Sequence, residues 1–132
     1  MWMRSGPATA STPDFSINMC VAPIYQLADA FVFPTSYEAF PLVALEAAAS
    51  GLPILATAVN GIRELVSDGV NGFLISRDAG QIARRLRELG DDGALRRRLG
   101  SAARSSAMDY SWAKMVDRYD ALCAALDADQ PA

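Results

Sequence analysis

Three short apolar runs constrain the fold of this chain more than any other feature: Ala30–Pro34 (AFVFP), Pro53–Ala56 (PILA) and Gly72–Ile75 (GFLI). None of them alternates with polar residues, so neither face of such a strand is built to meet water. Strands that are apolar throughout belong to parallel sheets covered on both faces. The intervening segments read as helices, with Val21–Ala28 before the first run, Pro41–Ser50 after it and Ile62–Ser67 before the third. Three further helices follow without strands. Asp78 caps the first, with Gln81 three residues on and a stripe of Ile82, Leu86 and Leu89. Leu95, Leu99 and Ala102 mark the second, after Asp92 and Gly93. Trp112, Val116, Tyr119, Cys123 and Leu126 mark the third. The expected class is therefore α/β, about three parallel strands in the order of the chain with flanking helices and a C-terminal helical segment. At 132 residues this is one domain with enough chain to bury a core.

The chain has no histidine, which removes a Ser-His-Asp triad, an imidazole base and any His-ligated metal from consideration. Cys20 and Cys123 are its only cysteines, too few for a disulfide framework or a structural zinc site, and such usage fits a reducing cytoplasm. A net charge of −3 argues against a general nucleic-acid binder. The cluster of Arg84, Arg85, Arg87, Arg96, Arg97 and Arg98 lies on helices whose apolar stripes face elsewhere, and no aromatic residues interleave with it. It reads as a solvated face. Residues 1–18 form a Ser-, Thr-, Pro- and Ala-rich leader without the apolar segment of a signal peptide, expected to be disordered or to reflect a misplaced start; residues 19–132 form the domain. The least polar stretch, Ala39–Ile62, contains Glu46, Gly51, Pro53 and Asn60, and is a helix followed by a strand rather than a membrane span.

The most informative segment is Tyr37–Gly51, YEAFPLVALEAAASG. Pro41 suits a first helical turn, where its missing N–H has no intrahelical partner. Gly51 suits the position just past the helix, and Pro53 prevents continuation. The helix then starts after Phe40, and its free amides, those of Leu42 and Val43 included, face the Glu38–Phe40 loop. A helix N-terminus at the carboxyl end of a parallel strand favours a phosphate by dipole and by donors. Glu46 is the only charged residue between Glu38 and Arg63. Among Leu, Val and Ala it either points to solvent, pairs with a distant Arg, or awaits a ligand with paired hydroxyls such as a ribose.

Glu38 and Glu46 form an E-x7-E pair within ADAFVFPTSYEAFPLVALEAAASGLPILAT. This stretch resembles the signature of retaining, nucleotide-sugar-dependent glycosyltransferases of the GT-B fold, the family related to sucrose and glycogen synthases. NGIRELV at Asn60–Val66, DGVNGFL at Asp68–Leu74 and the tail YSWAKMVDRY match further family motifs, so the resemblance covers about Val21 to Leu126. It implies a partial Rossmann-like sheet and hexosyl transfer from a nucleotide sugar. By the same resemblance Glu38 is the catalytic candidate, bonding the donor sugar, and Glu46 binds the nucleotide's ribose. Backbone groups around Ala39, Phe40, Leu42 and Val43 would hold the sugar and the distal phosphate. No metal and no cofactor beyond the donor substrate is implied.

Two departures stand out. Ala39 replaces a common Gly, and Arg63 a common Pro; Arg63 is expected in a salt bridge with a neighbouring acid. Asn60-Gly61 reads first as a tight turn. The family's acceptor domain and its diphosphate-neutralising Arg/Lys pair have no counterpart here, so the chain is expected to be a donor-domain fragment, inactive alone. Its partners would be a nucleotide sugar and a separate chain carrying the acceptor half, through which alone any membrane-surface association would come. The outer edge of the first strand is expected to be unpaired and to recruit a partner. A sugar-nucleotide epimerase of the same fold and a non-catalytic nucleotide-binding remnant remain as alternatives.

Overall fold

The computed structural model describes residues 2–3 and 21–128. The elements run β1 (Trp2–Met3), α1 (Ala22–Gln26), β2 (Ala30–Phe33), α2 (Leu42–Ala49), β3 (Ile54–Thr57), α3 (Asn60–Leu65) and β4 (Gly72–Ile75), then α4 (Ala79–Asp91), α5 (Gly93–Ala107), a 3-10 turn (Met108–Tyr110) and α6 (Trp112–Ala128). The sheet order is β1-β2-β3-β4. Strands β2, β3 and β4 are parallel, with Phe31 opposite Ile54, Val32 opposite Leu55, and Leu55 in turn opposite Phe73. The three apolar runs thus form the parallel core of the sheet in the expected order.

Alternation along the strands divides the buried side chains between two faces. Phe31, Ile54 and Ala56 pack with Tyr25, Ala44, Ala47, Ala48, Ile62 and Leu65 under α1, α2 and α3. Ala30, Val32, Leu55, Phe73 and Ile75 pack with Leu89 and Leu99 under α4 and α5. β3 is buried along its whole length. Both faces are covered, and Thr57, the one hydroxyl-bearing residue of these three strands, is buried with its hydroxyl bonded.

The outer edge of β2 is not bare. Trp2 and Met3 pair antiparallel with Phe31 and Ala30, so the expectation of an unpaired edge fails at these two positions. The remainder of the stretch read as a leader, and Cys20 at the start of the domain, lie outside the described residues. Of the basic cluster, Arg84, Arg87 and Arg97 are exposed, as a solvated face requires, while Arg85 meets Glu88 at 2.8 Å and covers the Phe73 ring, Arg96 meets Asp29 at 3.4 Å, and Arg98 donates to the Gly69 carbonyl. Asp78 caps α4 by accepting from the Gln81 amide at 2.6 Å, as expected. The Gln81 side chain turns instead to Ser76, accepting from its amide and hydroxyl. The α6 stripe is helical, yet among the described residues it faces solvent, with Trp112 83% exposed. Also among those residues, no helix is long and apolar enough to cross a membrane.

Candidate functional site

Helix α2 organises the site because its two faces differ. Ala44, Ala47 and Ala48 are buried, and their small side chains let the helix lie close to the sheet and to α5. Leu42, Val43, Glu46 and Ala49 form the exposed face. Its C-terminus is closed by Gly51 at φ +82°, with the Gly51 amide on Ala48 O and the Leu52 amide on Ala47 O, the paired bonds of a Schellman motif. The N-terminus differs from expectation by one residue. Pro41 is the N-cap, at φ −83° and ψ 87°, rather than the first helical residue. The backbone turns so tightly there that the Leu42 amide donates to Phe40 O at 3.1 Å. Of the two amides expected to be free, only that of Val43 has no backbone partner among the described residues.

The loop leading into α2 leaves the carboxyl end of β2 and is pinned from three sides. Thr57, at the end of β3, donates its hydroxyl to the Thr35 carbonyl. Phe40 packs on Tyr110, with ring centroids 5.6 Å apart, and the Tyr110 hydroxyl donates to Glu64 O at 3.1 Å. Gly61 lies directly beneath: a Cβ there would come within 2.6 Å of Ala39 O, 2.7 Å of Pro41 Cδ and 2.8 Å of Phe40 Cα. Asn60-Gly61 is therefore no tight turn. It opens α3 after the N-cap Val59, and the close approach of the loop accounts for the glycine. Within the loop the Ala39 amide donates to Glu38 Oε1 at 3.0 Å, leaving the other carboxylate oxygen available. Arg63 makes no salt bridge among the described residues; its Nε donates to Ala58 O at 2.8 Å and ties α3 to the segment entering it.

Glu46 stands one turn beyond Leu42 and is exposed, so the cost of burying a lone carboxylate does not arise. It is not unaccompanied. The hydroxyl of Tyr25, from α1, donates to Glu46 Oε2 at 3.0 Å. Burial, together with the hydrogen bond to Glu46, pushes the Tyr25 pKa up to about 12, so the hydroxyl is protonated and donating at neutral pH. A cavity of about 410 Å³ opens here, lined by Val21, Tyr25, Gln26, Glu46, Ser50 and Arg104 among others. Glu38, Ala39, Phe40, Leu42 and Val43 are outside its lining, on the loop and first turn. The sequence reading missed Tyr25, which α1 brings to Glu46 from 21 residues before it, and Arg104, which α5 places on the lining of the same cavity. Among the described residues no group of three or more His, Cys, Asp or Glu side chains is placed to hold a metal.

Three parallel strands with a pinned loop and a helix N-terminus at the carboxyl end of one of them define an α/β domain of the Rossmann-like class, in which that end is where ligands bind. Residues 18–106 match the model of the family described as glycosyl transferases group 1, and the chain belongs to that family. It is 43% identical over 89 residues to a D-inositol 3-phosphate glycosyltransferase of Streptomyces avermitilis, covering 67% of this chain and 19% of that protein. It is 45% identical over 91 residues to one from Corynebacterium aurimucosum, covering 68% and 22%. Sucrose-phosphate synthase from Thermosynechococcus elongatus superposes with a TM-score of 0.76 at 32% identity, over 83% of this chain and 28% of that one. Anabaena HepE, solved in complex with UDP, superposes with a TM-score of 0.68 at 25% identity, over 80% and 29%. The chain thus spans about a fifth of the length of the curated relatives it matches, and its sheet is that of GT-B neighbours.

Proposed function

We propose that this chain is the donor-binding part of a retaining hexosyltransferase that uses a nucleotide sugar. The observation that carries the reading is the exposed face of α2, which sets the open amide of Val43 at a helix N-terminus and the carboxylate of Glu46 one turn along it. The Val43 amide and the helix dipole suit the distal phosphate. Glu46 suits the two hydroxyls of a ribose. Glu38, held by the Ala39 amide, turns a carboxylate toward donor-sugar hydroxyls, where it would steady charge as the glycosidic bond breaks. Backbone groups of Ala39 and Phe40 complete the loop around the sugar; Leu42, whose amide is occupied by Phe40 O, contributes shape rather than a donor. Transfer needs an acceptor-binding half, supplied here by a separate chain or further sequence, and the setting is cytoplasmic. Nothing in the site or the relatives favours an epimerase.

Calorimetric titration with UDP, GDP, ADP and their hexose conjugates tests this. Glu46→Ala should weaken binding of the diphosphate, with or without its sugar, by roughly ten-fold, the loss of a charged hydrogen-bond pair. Glu38→Ala should spare the bare diphosphate and remove only the increment contributed by the sugar. Equal effects of the two substitutions on the bare diphosphate would contradict the assigned roles.

A further inference from the structure

Tyr25 is a buried residue whose hydroxyl reaches the wall of an open cavity. That hydroxyl lies 3.0 Å from Glu46 Oε2 and 3.3 Å from the Val43 carbonyl oxygen, two contacts on α2. Its ring is fixed edge-on to Phe31 of β2, at 6.1 Å between centroids and 67° between planes. The hydroxyl therefore points where the sheet directs it, with little freedom of its own. Glu46 is the opposite case: an exposed glutamate on a short helix, with no cation among its hydrogen-bond or ion-pair partners in the described residues. Left alone, such a side chain populates several rotamers, and a ligand must select one of them at an entropic cost.

A carboxylate offers about four lone-pair sites over its two oxygens. Tyr25 occupies one of them on Oε2, leaving Oε1 and the remaining site on Oε2 for a ligand. Two adjacent hydroxyls on a five-membered ring match two acceptor oxygens held in one plane. We propose that Tyr25 is a positioning residue of the nucleotide site: its hydroxyl holds Glu46 in the orientation from which the carboxylate accepts both hydroxyls of a ribose. The inference rests on the ribose role proposed for Glu46. It adds that α1, which contributes no group to the phosphate or the sugar, sets affinity through a single hydrogen bond.

The test is titration of the 132-residue chain with UDP, GDP and ADP, and with the 2′,3′-dideoxy analogue of whichever binds most tightly. Tyr25→Phe keeps the ring and removes the hydroxyl. It should weaken the parent diphosphate about five-fold, the size expected for the net contribution of one ordinary hydrogen bond. The dideoxy analogue should bind the wild type and Tyr25→Phe within about two-fold of each other, because it lacks the hydroxyls the orientation serves. In a Glu46→Ala background Tyr25→Phe should add nothing further. The ratio of affinities for parent and dideoxy ligand within one variant does not depend on its folded fraction, so partial unfolding cannot mimic the result. A tyrosine with only a structural role would weaken both ligands alike, and that outcome would overturn the proposal. So would full retention of affinity by Tyr25→Phe while Glu46→Ala weakens binding. If Glu46→Ala has no effect, or none of the three diphosphates binds the wild-type chain, the ribose role itself falls and this inference with it.

Discussion

Gly61 offers the sharpest separation between a residue that stabilises this fold and one that shapes its site. Gly61→Ala places a methyl group 2.6 Å from Ala39 O, 2.7 Å from Pro41 Cδ and 2.8 Å from Phe40 Cα, where ordinary contact begins near 3.4 Å. Two of those three atoms are backbone, so no side-chain rotation relieves the clash. The loop must retreat from α3 by about 0.8 Å, the deficit at the tightest contact. Such overpacking costs about 1–3 kcal/mol, or roughly 5–12 °C in Tm for a domain of this size. The displaced atoms also carry the entry to α2 and the neighbours of Glu38. A shift of that size stretches a 3 Å hydrogen bond past its useful range, so affinity for a nucleotide sugar should fall by about ten-fold or more. Gly100→Ala is the control. Its Cβ would come 2.1 Å from Gly51 O, a clash as severe, but at the far end of α2 where it closes on α5. Thermal unfolding and calorimetric titration of both variants should show two comparable losses of stability and one loss of affinity. Unchanged affinity in a folded Gly61→Ala would show that the loop position is irrelevant to binding, and the reasoning would fail.

Two further expectations concern stability. The folded protein raises the Tyr25 pKa from 10.0 to about 12, so it favours the neutral hydroxyl; this contribution is complete below pH 10 and is lost as pH climbs through about 12. Urea unfolding of the wild type should therefore lose about 2 kcal/mol more than Tyr25→Phe across that window, and parallel pH curves for the two would refute the assignment. Asn71 is buried and makes three bonds, accepting from the Ser67 amide at 2.8 Å and donating to Leu65 O at 2.9 Å and Ser106 Oγ at 3.0 Å. Asn71→Ala should destabilise by about 2–4 kcal/mol with nucleotide affinity unchanged in the folded fraction, and a loss below about 0.5 kcal/mol would mean that water replaces the amide.

What could be read from the sequence was whatever a local pattern fixes. Strands buried on both faces announce themselves by unbroken apolar runs, and Gly51 with Pro53 marks a helix end because no other residues suit those backbone positions as well. Asp78 is legible as a cap for the same reason, since it satisfies the amide of Gln81 three residues on. Most failures involve partners that a local pattern does not reveal, whether distant in the chain or, as for the Leu42 amide on Phe40 O, a backbone turn of unusual tightness. Asn60-Gly61 has strong turn chemistry, but the loop pressed against Gly61 requires the missing side chain more than a turn does. Arg63 was assigned an acid because acids are its commonest partners, and the structure supplies a carbonyl instead. The third-helix stripe at Trp112, Val116, Tyr119, Cys123 and Leu126 is real, but spacing reports that a face is apolar and is silent on what faces it.

The same distinction explains how the arrangement proposed to bind the donor can be set within a chain that matches about a fifth of its relatives' length. An eight-residue helix is not stable alone in water, so the orientation of α2 is decided by what it packs on rather than by its own propensity. The constraints described on it lie within residues 21–128: Tyr25 on its exposed face, Gly61 and Tyr110 behind its entry loop, and Gly100 beneath its closing glycine. Buried alanines then hold the opposite face against the sheet, and the exposed face inherits a fixed direction. Positioning Glu46 and the Val43 amide is thus a consequence of folding this unit. Presenting an acceptor to the bound donor demands a second surface, which none of these contacts supplies. On the proposed function, donor binding and transfer should accordingly be separable, the first following stability and the second following assembly.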